Sequence, residues 1–249
     1  MESTRITIES PAGTMLGYLH SPVGPSRAAG VLFLHGWTSD AESGYGDLPE
    51  QMAGRGFTAL AVDLPGHGGS GGDRGALDYQ AFVDAAIAAY DTLAAQSANP
   101  DITIVGTSLG GYLAARLAAD RSVTRLILWV PTDFSDELTR SGQTFQGSSL
   151  TDDALAWRSA PHTPDDSAAL AAFGAFEGRS LIIEAMNDEL VPHQTIANYL
   201  AVASDADHVQ LARTRHRIRR DPHKFSLAAA LTRAWLVTEA ASEATSLHE

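Results

Sequence analysis

The chain has 249 residues, 44% of them hydrophobic and 19% charged, enough for one sizeable core. Its formal net charge of -13 disfavours a nucleic-acid partner, and the lack of cysteine removes disulfides, thiolate metal sites and a cysteine nucleophile. No apolar run approaches the ~18 residues of a membrane span, and MESTRITIES (1–10) is not a basic-then-apolar leader, so a soluble cytoplasmic protein is expected.

In chain order, short β-branched runs alternate with longer Ala- and Leu-rich segments, the pattern of βαβ units in a parallel sheet. RITIES (5–10) and TMLGYLH (14–20), separated by Pro-Ala-Gly, read instead as an opening antiparallel pair. AGVLFLHG (29–36) predicts a strand, LPEQMAGRG (48–56) a short helix ending on glycine, and FTALAVDLPG (57–66) a strand. DYQAFVDAAIAAYDTLAAQ (78–96) predicts a helix with Asp78 at its N-cap and Phe82, Ala85, Ala86, Ala89, Tyr90 and Leu93 on one face. After a turn at SANP (97–100) come DITIVGTS (101–108, strand), LGGYLAARLAAD (109–120, helix) and VTRLILWVP (123–131, strand). GRSLIIEAM (178–186, strand), PHQTIANYLA (192–201, helix), HVQLAR (208–213, strand) and KFSLAAALTRAWLVTEAA (224–241, helix) follow, and the polar tail SEATSLHE (242–249) reads as frayed.

These elements predict one α/β domain over residues 1–249, with about eight mostly parallel strands flanked by helices. Residues 132–177 are too many for an ordinary connection. With Phe134, Phe145, Trp157, Phe173 and Phe176 they are expected to form a small helical cap over the carboxyl ends of the strands, where such sheets bind ligands.

One basic stretch stands out: RTRHRIRRDPHK (213–224) holds five arginines and a lysine, six of the 17 Lys and Arg residues. It reads first as a solvated loop that offsets an acidic surface, and second as a contact for an anionic substrate. The chain has no GxGxxG after a first strand, no P-loop lysine and no HExxH, so nucleotide and zinc readings lack support, and no cofactor is expected.

The chemistry concentrates at GTSLG (106–110), a G-x-S-x-G run between a predicted strand and a predicted helix. A tight strand-to-helix turn there forces Ser108 into a strained, positive-φ conformation that aims its hydroxyl outward, and the flanking glycines clear room where backbones crowd. A serine hydroxyl is a weak nucleophile at neutral pH, so it needs a base within hydrogen-bond reach and a third group to orient that base. Leu109, at the start of the following helix, places one N–H beside the serine by position.

At these residues the chain resembles the α/β-hydrolase superfamily, in particular compact carboxylesterases of the feruloyl-esterase and serine-aminopeptidase-like type. The resemblance implies the α/β-hydrolase fold and the chain order serine, acid, histidine. It assigns the acid to Asp188 in LIIEAMNDELVP, with Asp133 after LILWVP as the main rival and Glu184 and Glu189 in poorer register. It assigns the histidine to His216, with His208 and His223 as alternatives, and the second oxyanion donor to the Trp37 N–H in His35-Gly36-Trp37. His35 and His67, in the glycine-rich DLPGHGGSGGDRG (63–75), are read as structural. Trp37, Phe134, Phe145 and Trp157 are the expected substrate-lining side chains.

The implied activity is that of a carboxylesterase-like serine hydrolase acting on a small-molecule ester of a small or medium acyl group. No nucleic acid or membrane partner is expected, and a homodimer is left open. Acyl transfer, carbon–carbon bond hydrolysis and amide or aminopeptidase chemistry would use the same three residues. A non-catalytic protein that keeps the fold is the remaining class.

Overall fold

The computed structural model describes residues 3–22, 26–27, 29–96, 101–148 and 151–246. Gly13, at φ 115°, turns the chain between β1 (Ser3–Ser10) and β2 (Gly13–His20), which pair antiparallel from Ser3 opposite His20 to Ser10 opposite Gly13. The elements that follow are β3 (Gly30–Leu34), α1 (Ala41–Tyr45), α2 (Leu48–Ala53), β4 (Thr58–Val62), α3 (Tyr79–Gln96), β5 (Ile102–Thr107) and α4 (Leu109–Asp120). Next come β6 (Arg125–Trp129), α5 (Asp136–Arg140), α6 (Phe145–Ser148), α7 (Asp152–Arg158) and α8 (Ala168–Gly174). The chain closes with β7 (Arg179–Ala185), α9 (His193–Val202), β8 (Ala206–Leu211) and α10 (Pro222–Ser246).

One eight-stranded sheet runs in the order β1-β2-β4-β3-β5-β6-β7-β8, antiparallel at β1-β2 and β2-β4 and parallel elsewhere. Strands β3, β4 and β6 are buried at every position, as expected where helices cover both faces of a parallel sheet. Alternation sorts their side chains: Leu32, Leu34, Leu126 and Leu128 join α3, α4, α8 and α9 in one core, and Val31, Phe33, Ile127 and Trp129 join α1, α2 and α10 in the other. The Trp129 indole N–H donates to Thr232 Oγ1 at 2.9 Å and pins α10 to the sheet.

The α3 stripe is as the periodicity predicts, and Asp78 Oδ1 accepts the Ala81 N–H at 2.9 Å. Three features differ from the sequence reading. Helix α1 went unread because it is five residues long; a capping box between Asp40 and Ser43 holds it. Strand β8 begins at Ala206 and stops at Leu211, and Arg213, at φ 55°, turns the chain away. Helix α10 continues through Ser242–Ser246, where a frayed tail was expected; Leu247–Glu249 and the SANP turn lie outside the described residues.

Residues 132–177 fold into α5 to α8, but not all of them cap the sheet. Helix α8 buries Ala169, Leu170, Ala172 and Phe173 and packs on α4 and α9, so Phe173 and Phe176 belong to the main core.

Candidate active site

Strands β3, β5, β6, β7 and β8 are consecutive parallel neighbours, so the loops at their carboxyl ends meet along one edge of the molecule. Ser108 sits at the tip of β5 with φ 54° and ψ -112°. Its N–H donates to the Trp129 carbonyl at 2.9 Å, and its own carbonyl accepts from Gly111 at 2.9 Å and Tyr112 at 3.1 Å. The two glycines serve two separate contacts. A Cβ at Gly106 would lie 2.2 Å from the Gly110 carbonyl oxygen, and a Cβ at Gly110 would lie 1.8 Å from the Leu34 carbonyl oxygen of β3. The second clash is with a neighbouring strand, which sequence could not reveal.

Histidine and acid are brought together by the loops after β8 and β7. Met186 N–H donates to the Leu211 carbonyl at 3.1 Å and Asn187 N–H to the Thr214 carbonyl at 2.8 Å, which lock the two loops side by side. His216 Nδ1 then lies 2.7 Å from Asp188 Oδ2, and its Nε2 lies 2.9 Å from Ser108 Oγ. A carboxylate only accepts, so Nδ1 carries the proton and Nε2 is left to accept from the serine hydroxyl. Asp188 Oδ1 accepts the Leu190 N–H at 2.8 Å and the Val191 N–H at 2.7 Å, so the carboxylate is held at both oxygens.

The rival residues lie elsewhere. Asp133 accepts from Ser167 Oγ at 2.6 Å and from the Phe134 N–H, and burial pushes its carboxyl up to about 7. Glu184 is buried beneath His193 Nδ1 at 2.5 Å and His208 Nε2 at 2.8 Å, so His208 is committed to it. His223 is exposed in the first turn of α10. Glu189 neighbours the site through its Oε2, which accepts the His216 backbone N–H at 3.2 Å.

The His35-Gly36-Trp37 loop lies against the serine: a Cβ on Gly36 would come 3.2 Å from Ser108 Cβ. His35 braces it from within. Its Nε2 accepts the Leu64 N–H at 2.9 Å, so its Nδ1 carries the proton and donates to the Gly36 carbonyl at 2.8 Å; complete burial lowers its pKa to about 3. Among the described residues neither the Trp37 N–H nor the Leu109 N–H has a protein acceptor. The Trp37 ring packs against Phe145, His67 and Phe82, with centroids 4.5, 5.1 and 5.8 Å away.

A cavity of about 380 Å³ opens over these groups and is lined by Trp37, Leu109, Phe134, Phe145, Leu190 and Val191, among others. Trp157 does not line it. That ring stacks on His162 at 3.9 Å and borders a separate hollow beside α5 and α7. Its helix neighbour Arg158 lines the cavity instead, almost wholly buried, with its Nη1 donating to the Leu190 carbonyl at 2.8 Å. The signal for Arg158 was faint: one cation on a seven-residue helix. Among the described residues no group of three or more His, Asp or Glu could hold a metal ion, and no helix is long and apolar enough to cross a membrane.

Comparison with known proteins agrees with this architecture. Est1E from Butyrivibrio proteoclasticus, solved with ferulic acid bound, superposes with a TM-score of 0.74 over 95% of this chain and 99% of its own at 19% identity, a likeness of fold. A multifunctional-autoprocessing repeats-in-toxin of Vibrio cholerae is 34% identical over 125 residues, 47% of this chain and 3% of the toxin. The alpha/beta hydrolase ucsC of Acremonium sp is 30% identical over 141 residues, 51% of this chain and 29% of that protein. The chain thus spans a small part of the curated relatives it matches. The sequence profile of the alpha/beta hydrolase family matches residues 31–245, and the chain belongs to that family.

Proposed function

We propose that this chain is a serine hydrolase that cleaves carboxylic esters of small or medium acyl groups. The observation that carries the reading is the continuous chain from Ser108 Oγ through His216 to Asp188, at 2.9 and 2.7 Å, on the wall of an aromatic cavity. His216 Nε2 takes the proton as Ser108 Oγ attacks the ester carbonyl, and Asp188 stabilises the imidazolium that forms. The Trp37 and Leu109 N–H groups donate to the developing oxyanion, each contributing on the order of 3 kcal/mol to the transition state. The imidazolium then protonates the departing alcohol. Water, deprotonated by the same nitrogen, releases the acid from Ser108. Trp37, Phe134 and Phe145 give the acyl group an apolar, aromatic bed, which also suits an aromatic acid such as the one bound by Est1E.

Two measurements test the reading. A fluorophosphonate probe should add one label, on Ser108, and an unlabelled folded protein overturns the proposal. The kcat/KM over p-nitrophenyl esters of rising chain length, a hydroxycinnamate ester and an aminoacyl amide should favour the esters. Turnover confined to the amide would replace the esterase with an amidase.

A further inference from the structure

The five arginines of 213–220 are exposed, as a solvated loop would have them, but three of them also border the catalytic cavity. Arg217, Arg219 and Arg220 line the same cavity as Ser108 and His216. Among the described residues none of the five forms an ion pair. This is unexpected in a chain of net charge -13, where carboxylates outnumber Lys and Arg by 30 to 17.

Asp40 and Glu189 feel the charges of Arg219 and Arg215 from a distance, and the oxygens of the nearby carboxylates bond backbone N–H groups rather than guanidinium N–H groups. Asp40 Oδ1 takes the Ser43 N–H at 2.6 Å, Asp221 Oδ1 takes those of His223 and Lys224 at 3.0 and 3.2 Å, and Glu189 Oε2 takes that of His216 at 3.2 Å. Arg219 is fixed in place: Nη1 donates to the Glu42 carbonyl at 2.6 Å, and its guanidinium lies 5.7 Å from the Phe225 ring centre. That bond leaves most of its five N–H donors for another acceptor. Thr38, Ser39, Ser43 and Gly44 also line the cavity.

The position of this cationic wall decides which part of a substrate it meets. His216 Nε2 must hand its proton to the departing oxygen, so the leaving alcohol lies on the His216 side, and Arg217 is the next residue in the chain. The rings of Trp37, Phe145 and Phe134, which pack on one another with centroids 4.5 and 5.4 Å apart, give the cavity an apolar part of its lining. Guanidinium forks match planar and tetrahedral oxyanions in two-point contacts, and a cleft of one charge sign concentrates ligands of the opposite sign.

We infer that Arg217, Arg219 and Arg220 form a receptor for an oxyanion, carboxylate or phosphate, carried on the alcohol portion of the ester substrate. The inference rests on the serine-hydrolase reading for its chemistry: the acyl C–O bond breaks, Ser108 keeps the acyl group, and the anionic alcohol leaves with the proton from His216.

The test compares 4-carboxyphenyl butyrate and 4-phosphonophenyl butyrate with the neutral 4-carbamoylphenyl butyrate. In 50 mM NaCl the anionic esters should show a kcat/KM at least tenfold higher, chiefly through KM, and the ratio should shrink severalfold in 500 mM NaCl. The larger of the two ratios identifies the oxyanion. Arg217→Gln with Arg220→Gln, both at exposed positions, should cut the ratio at least fivefold. A ratio near one in the native protein, or one that survives the double substitution, overturns the inference. Calorimetric binding of the same esters to Ser108→Ala gives a readout without turnover: a tenfold tighter Kd for an anionic ester supports the receptor, and equal Kd values overturn it. Failure of the hydrolase reading has a different signature, since the fluorophosphonate would then leave Ser108 unlabelled.

Discussion

The Arg158 guanidinium donates to the Leu190 carbonyl at 2.8 Å, and the N–H of that same residue donates to Asp188 Oδ1 at 2.8 Å. A cap helix is thereby tied to the loop that holds the acid. Arg158 is buried, and desolvation lowers its pKa while Tyr79, Asp133 and, least of the three, Asp188 oppose the drop. Arg158→Met keeps the apolar stem and removes the donor. A hydrogen bond from a charged group contributes about 1.5–3 kcal/mol, and every ~1.4 kcal/mol lost at the transition state is tenfold in rate. On a neutral ester the variant should therefore lose about tenfold or more in kcat with KM little changed, and Arg158→Lys should restore part of it. A rise in KM at constant kcat would instead make Arg158 a substrate contact, and no change in either would remove it from the site.

His216 and His208 compete in the sequence and separate in the structure. His216→Ala should lower kcat by three or more orders of magnitude, roughly the cost of losing the base in a Ser-His-Asp unit, and Asp188→Asn by about four through the wrong tautomer. His208 bonds Glu184, so His208→Ala should leave kcat within about threefold and act on stability, by roughly 1 kcal/mol for one lost hydrogen bond. Steady-state kinetics and urea unfolding of both variants decide this. A severe kinetic defect in His208→Ala would reassign the base.

The glycines give predictions of opposite severity. A Cβ at Gly110 meets the Leu34 carbonyl oxygen at 1.8 Å, and neither backbone can yield without parting β3 from α4. Gly110→Ala should cost more than about 4 kcal/mol and give little folded protein. Gly142, at φ 71°, has nothing within 4 Å of an added Cβ, so Gly142→Ala carries only the left-handed backbone penalty of about 1–2 kcal/mol. Denaturant unfolding of the two side by side should separate them clearly; equal costs would mean that the elbow can relax.

Much of this site was legible because its residues follow short, strongly patterned strands. GTSLG, MNDELVP and HGW each sit directly after a short apolar strand, so the order of the strands carries them to one edge. What stayed hidden depends on packing between distant segments. Trp157 and Arg158 are adjacent on α7, and only the orientation of that short helix decides that the charged one faces the cavity. Asp63 gave no local sign that its two oxygens would take the Ala41 and Gly69 N–H groups, at 2.8 and 2.7 Å, and so shape the loops beside the site. Polarity alone predicts a frayed tail past residue 241, but the alanine-rich helix before it propagates through Glu243 and Ala244, both good helix formers.

Two buried groups give stability opposite pH slopes. His35 has its pKa lowered to about 3 from 6.5, so the unfolded chain binds the extra proton first, and stability falls as pH drops from about 6.5 toward 3. Asp133 has its pKa raised to about 7 from 3.8, so the folded chain holds the extra proton, and stability falls as pH rises from about 4 to 7. Between about pH 4 and 6.5 the two slopes cancel. Asp133→Asn removes one of them while its amide oxygen can still accept from Ser167 and the Phe134 N–H. Relative to the native chain, the variant should therefore gain stability with pH, by up to about 1.4 kcal/mol per unit between pH 4 and 7, and then level off. Urea unfolding at pH 4.5, 5.5, 6.5 and 7.5 measures this difference. A difference that stays constant across the series would mean that Asp133 is ionised throughout and that its buried Oδ2 is satisfied by solvent.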